Sequence, residues 1–215
     1  VEGLIMTGTP IQIGGAGLLA LLWLFTPPSQ AARTQGDVSP TRSLAGRLLV
    51  ATPQLEDPNF RHTVIYMIQD DSTGSMGLVV NRVMGKGPAA DLLKGLGLDA
   101  DPKASGEIEV HYGGPVERGR GFVLHSPEYH GDNTMVLSNL AAVTSSPDIL
   151  EDLAAGKGPR ESMFALGYTG WAPDQLASEI AAGAWVVIDA DEDLLFGKRE
   201  DSKWQRALNR EGIEL

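Results

Sequence analysis

The chain is punctuated by short runs rich in β-branched and aromatic residues, each bounded by turn-forming residues, and this limits its fold more than any other feature. Eight such runs stand out: RLLVA (47–51), TVIYMIQ (63–69), MGLVVN (76–81), EIEVHY (107–112), GFVLH (121–125), TMVLS (134–138), SMFALGY (162–168) and AWVVID (184–189). Their length and chemistry are those of β-strands. The polar DDSTGS segment (70–75) predicts a hairpin between the second and third runs. Short spacings among the middle runs predict antiparallel neighbours.

Helix signals fall mainly in the second half. Ser145, Ser146, Pro147 and Asp148 read as a helix start, with Ser145 and Asp148 at capping-box spacing and Gly156 as the stop. PDQLASEIAAG (173–183) opens on Pro173 and Asp174 and closes on Gly183. AADLLKGLG (89–97) is a shorter candidate, and Asp191, Glu192 and Asp193 place negative charge at the start of a helix leading to Phe196. A last helix over about 200–211 puts Trp204 and Leu208 on one inward face. Strands first and helices later predict an α/β (α+β) class: a single-domain α/β sandwich with a mainly antiparallel sheet flanked by helices.

Residues 1–43 read as an extension outside the fold, and 44–215 as the domain. The segment IQIGGAGLLALLWLF (11–25) is apolar apart from Gln12, yet its 15 residues fall short of a membrane helix, which needs roughly 20. It fits a signal-peptide core better, with SQAA (29–32) as a small-residue site, but only Glu2 is charged before it. The Pro- and Ser-rich 26–43 reads as linker. With 215 residues and 42% apolar content the chain can bury a full core. The absence of cysteine excludes disulfides, thiolate zinc sites and cysteine nucleophiles. Glu2 and Asp37 cancel Arg33 and Arg42, so the whole net charge of −11 lies on 44–215. A field of that sign repels nucleic-acid backbones at long range.

The stretch YGGPVERGRGFVLH (112–125) raises the question of a phosphate cradle. It lacks P-loop and dinucleotide spacing, and strand-like residues follow where a helix N-terminus would be needed. It reads as strand, tight turn, strand. Together with LLVATPQLEDPNFRHTVIYM (48–67), GLVVNR (77–82), SSPDIL (145–150), ALGYTGWAPDQLASEI (165–180) and AWVVIDADEDLLF (184–196), it resembles the AlgH/YqgE family of bacterial proteins. The matching motifs run in order from about Leu44 to Gly212. The resemblance implies a cytoplasmic single-domain α/β sandwich, often described as a transcriptional regulator and without an established biochemical activity. Two departures are the apolar extension and Val83, where the family commonly has proline.

Ser126, His125, His130 and Asp132 lie within eight residues, which suggests hydrolase chemistry through His125 and Asp132; but neighbours on a strand face opposite ways, and no GxSxG elbow exists. His111, His125, His130 and Asp132 lack metal-ligand spacing, and the acidic residues lack EF-hand spacing, so no metal and no cofactor are expected. Arg199, Lys203, Arg206 and Arg210 are spaced 4, 3 and 4 and line one helix face, a candidate nucleic-acid stripe. Tyr168 and Trp171 flank a glycine turn and offer aromatic anchors. The leading expectation is a non-enzymatic interaction or regulatory protein. It would hold a protein or peptide partner in a shallow apolar cleft framed by the 112–125 turn and the 168–176 loop. Its site residues would be Asn81, Gly113, Gly114, Pro115, His125, Tyr168 and Trp171. A small-molecule enzyme and direct nucleic-acid binding are the alternatives. The chain is expected to be a monomer or weak oligomer in the cytoplasm, with export or membrane anchoring through 11–25 as the other location.

Overall fold

A computed structural model describes residues 43–98 and 106–213. The apolar 11–25 segment and nearly all of the expected linker lie outside the described residues. Among the described residues, ten strands and five helices follow in order: β1 (Arg47–Ala51), β2 (Val64–Asp71), β3 (Gly74–Val79), β4 (Val83–Pro88), α1 (Ala89–Gly95), β5 (Glu107–Tyr112), β6 (Val116–His125), β7 (Thr134–Val136), β8 (Ala142–Thr144), α2 (Asp148–Ala154), β9 (Ser162–Trp171), α3 (Gln175–Ala181), β10 (Trp185–Asp189), α4 (Glu192–Phe196) and α5 (Glu200–Arg210). The α/β sandwich expected from the sequence is what forms.

The sheet runs β10-β1-β2-β3-β9-β6-β8-β7, with β4 on β5 and β5 on β9. Pairing is antiparallel except for β5 on β9, where Val110 to Tyr112 lie parallel to Phe164 to Leu166. β9 is the shared strand: Thr169 to Trp171 pair with β3, and Ser162 to Leu166, with Tyr168, pair with β6. The expected β2–β3 hairpin is present, with one register shift between Met67 and Gln69.

The near-continuous apolar run of β1 is explained by burial on both faces. Leu48 and Val50 join a core with Tyr66, Leu78, Leu194 and Leu208. Leu49 and Ala51, pointing the other way, join Ile65, Met67, Trp171 and Trp185. A third cluster packs Leu93 of α1 and Ile149 of α2 on Val123 and Phe164. Helices therefore cover both faces. Trp204 packs on the first core and Leu208 is fully buried there, as their spacing predicts.

Several local expectations need correction. β4 was missed because VMGKGP is almost wholly exposed and carries the glycines and proline of a turn. β8 was missed because it spans three residues. Residues 168–171 are not loop but the end of β9. Helix α2 starts after Pro147, and Ser146, not Ser145, reaches Asp148 at 3.0 Å. Asp191 caps α4 as expected, its Oδ1 accepting from Leu194 N at 2.9 Å.

Candidate functional site

A wide hollow lies over the junction of β3 and β4, facing the start of α5. It has a volume of about 880 Å³ and is lined by Asn81, Arg82, Tyr112, Arg118, Lys198 and Glu200, among others. A second hollow of about 500 Å³ adjoins it, adding Arg61, His62 and Trp204 while sharing Asn81, Arg82, Glu200 and Asp201. The two form one open, polar cleft.

Its floor is built by side chains that replace missing backbone bonds. Asn81 follows the end of β3; its Oδ1 accepts from Val64 N at 2.8 Å and its Nδ2 donates to His62 O at 2.9 Å. Arg82 donates to Asn59 O and Arg61 O, both at 2.8 Å, and so holds the 58–61 loop. Its guanidinium lies 5.8 Å from the Tyr112 ring centre. Burial, first among the causes, lowers the Arg82 pKa, yet arginine keeps its charge in proteins. His62 sits at φ 58°, a left-handed conformation that non-glycine residues adopt at a cost of about 1–2 kcal/mol. It is held there by Asn81 and by the Trp204 ring 4.1 Å away.

Behind this floor is a buried ionic cluster. Lys203 is 1% exposed, and its Nζ donates to Val80 O at 3.0 Å and Leu195 O at 3.3 Å, with Glu200 Oε1 at 3.7 Å. His111 Nε2 lies 3.3 Å from Glu109 Oε1. Ligand atoms of Glu109, His111 and Glu200 fall within 4.8 Å of one another, the spacing of a metal site. The Lys203 ammonium already supplies the cation there, and its charge opposes a second one. Burial lowers the pKa of both His111 and Lys203.

The expected site residues are scattered by the fold. His125 is fully buried. Its Nδ1 lies 2.8 Å from Ser126 O and its Nε2 2.8 Å from Thr144 Oγ1. A carbonyl only accepts, so Nδ1 carries the proton and Nε2 accepts from the Thr144 hydroxyl. That leaves the Thr144 oxygen to accept from Thr134 Oγ1 at 2.6 Å. Burial, the leading cause, lowers the His125 pKa. Asp132 is exposed and makes no bond to it, and Ser126 Oγ donates to Glu128 at 2.6 Å. The hydrolase assembly is absent: its histidine is a core residue.

Gly113 and Gly114 mark a close crossing of backbones. A Cβ at Gly113 would lie 2.2 Å from Gly167 O, and one at Gly114 2.1 Å from Tyr168 C. Pro115 is half-buried beside them. Trp171 is 6% exposed, and its Nε1 and that of Trp185 both donate to Glu179 Oε2, at 3.0 and 2.8 Å. It is a core anchor first. Tyr168 donates to Glu117 Oε1 at 3.2 Å and, with Val116 and the edge of Trp171, lines a shallow depression of about 360 Å³. Asn81, by contrast, lies in the large cleft.

The basic stripe is also corrected. Lys203 is buried, Arg206 pairs with Asp193, Arg210 pairs with Asp191, and Arg199 lies 3.8 Å from Asp193. The spacing put the four on one face; that face docks onto α4 and its acidic start. Sequence reasoning missed His62, Arg82, Arg118 and Lys198 as a group. Arg82 stood in the GLVVNR motif, but nothing along the chain says that residues 62, 82, 118 and 198 line one cleft.

Among the described residues, no helix is long and apolar enough to cross a membrane. Residues 48–215 match the family model described as AlgH-like. A UPF0301 protein of Methylococcus capsulatus is 43% identical over 171 residues, covering 80% of this chain and 93% of that protein. One of Caulobacter vibrioides is 44% identical over 172 residues, covering 79% and 88%. The solution structure of the AlgH protein from Pseudomonas aeruginosa is similar with a TM-score of 0.69 at 37% identity, covering 82% of this chain and 92% of that one. A crystal structure from Corynebacterium diphtheriae, 20% identical with a TM-score of 0.59, shares the fold.

Proposed function

This chain belongs to the AlgH-like family, and we propose that it is a non-enzymatic interaction or regulatory protein of the cytoplasm whose working face is the open cleft over Arg82. The observation that carries the reading is the arrangement of the cleft. Its fixed polar groups hold the floor rigid, through Asn81 on Val64 and His62 and through Arg82 on the 58–61 loop, while Arg61, Arg118 and Lys198 at its rim have no carboxylate within 4.0 Å among the described residues. Rigid floors with free rims suit recognition. The groups with catalytic potential support the same reading. His125 and Ser126 are committed inside the fold, and Ser202 Oγ donates to Arg199 O at 3.1 Å.

The test is affinity capture from lysate with the full chain and with a Lys198→Glu variant, folding being checked by circular dichroism. Partners retained by the wild type and lost from the variant are the expected result. Partners insensitive to Lys198 but lost on Tyr168→Ser would move the working face to the depression beside Trp171.

A further inference from the structure

Positive charge on this molecule is distributed unevenly. Among the described residues, Arg47, Lys86, Arg120, Arg160, Arg199, Lys203, Arg206 and Arg210 each have a carboxylate within 4.0 Å. Six cations do not: Arg61, Arg82, Lys94, Arg118, Lys157 and Lys198. Four of those six line the cleft. They come from four separate stretches of chain, so their convergence is a product of the fold and not of local sequence.

The carboxylates facing them are few. Glu200 and Asp201 line the cleft, and the Glu200 side chain is 18% exposed with its Oε1 turned to Lys203. Asp201 is the remaining exposed acid of the lining, and exposed Asp57 on the adjoining loop adds a negative charge near Arg82. In a chain of net charge −11, the cleft is therefore a local region of opposite sign. Low-dielectric walls concentrate such a field and draw counter-charged ligands.

We infer that this cleft binds a small, multiply charged anion bearing phosphate groups, a ligand class that refines the binding role proposed above and rests on it. Arg82 supplies fixed charge, because its guanidinium donors already serve the 58–61 carbonyls. Arg61, Arg118 and Lys198 are exposed, carry free donors and can close on oxygens from the rim. Several cations without counter-ions match a ligand of charge −2 or more better than a lone carboxylate. A volume of about 880 Å³ is in the range of small-molecule sites. A long polyanion is disfavoured, since the chain as a whole carries a net charge of −11.

The test is calorimetric titration of the full chain with inorganic pyrophosphate, at low and at raised salt. The wild type is expected to bind, more weakly as salt rises. The double reversal Arg118→Glu with Lys198→Glu, both at exposed positions, is expected to weaken binding at least tenfold. The matched reversal Lys94→Glu with Lys157→Glu changes net charge equally away from the cleft and is expected to leave affinity within about twofold. Equal weakening by both double variants would show a net-charge effect and overturn the site. Tighter binding of a single-stranded oligonucleotide or an oligoglutamate peptide would overturn the small-ligand assignment. Absence of pyrophosphate binding, with partner capture still dependent on Lys198, would overturn this inference and leave the binding role standing.

Discussion

Two polar regions of this protein, the chain of groups around His125 and the cleft over Arg82, follow opposite rules. Around His125 every group finds its partners within the fold: Ser126 O, the imidazole, Thr144 and Thr134 form a single line of hydrogen bonds. Over Arg82 the floor is equally satisfied, but the rim carries Arg61, Arg118 and Lys198 without counter-charges. A buried polar group with all its partners within the fold specifies structure. Exposed charges gathered by the fold and left without partners specify something outside it. The comparison separates residues that sequence inspection grouped together as functional.

The sharpest way to break it is at Lys203, which belongs to the interior yet sits directly behind the cleft. Lys203→Ala leaves Val80 O and Leu195 O without their donor and Glu200 without its cation. A loss of about 3–5 kcal/mol is expected from urea denaturation, the cost of breaking a buried ion pair. A loss below about 1 kcal/mol would show that water reaches this lysine and that the cleft is deeper than its floor suggests.

The next effect is at His125, where His125→Leu orphans Ser126 O and the Thr144 hydroxyl. About 2–3 kcal/mol is expected. The pH dependence carries a sign of its own. Burial holds the pKa values of His125 and His111 below the ordinary 6.5 in the folded state. As pH falls through 6.5 the unfolded chain takes up protons that the folded chain refuses, so stability is complete above that value and declines below it. His125→Leu should flatten this acid limb in part, leaving the His111 share. An unchanged limb would place the titration elsewhere. The smallest effect sharpens the comparison from the other side. Arg118→Ser and Lys198→Ser should each change stability by no more than about 0.5 kcal/mol, measured by the same denaturation.

Much of the fold was legible because strand interiors advertise themselves. RLLVA and AWVVID read as buried strands from composition, and they pair with each other in register. β4 was illegible because an exposed strand buries nothing, and VMGKGP therefore carries no pattern. The parallel seating of β5 on β9 was equally hidden, since it joins distant stretches through backbone atoms alone. At the candidate site, spacing put Arg199, Lys203, Arg206 and Arg210 on one helix face, whereas Arg199 stands just before α5. Spacing does not say which face turns inward, and Lys203 lies in the buried stripe with Ala207 and Leu208. Asn81 was found from its motif, whereas its neighbours Arg118 and Lys198 needed the tertiary structure to meet.

The pairing of β1 with β10, Arg47 opposite Asp189, bears on how the chain is made. A ribosome delivers β1 well before β10, so one edge of β1 waits while every strand between them is made. β9, on which β3, β5 and β6 all rest, is also late. The nascent chain thus holds β3, β5 and β6 without their shared partner until β9 emerges, the circumstance in which a folding helper that shields strand edges matters most.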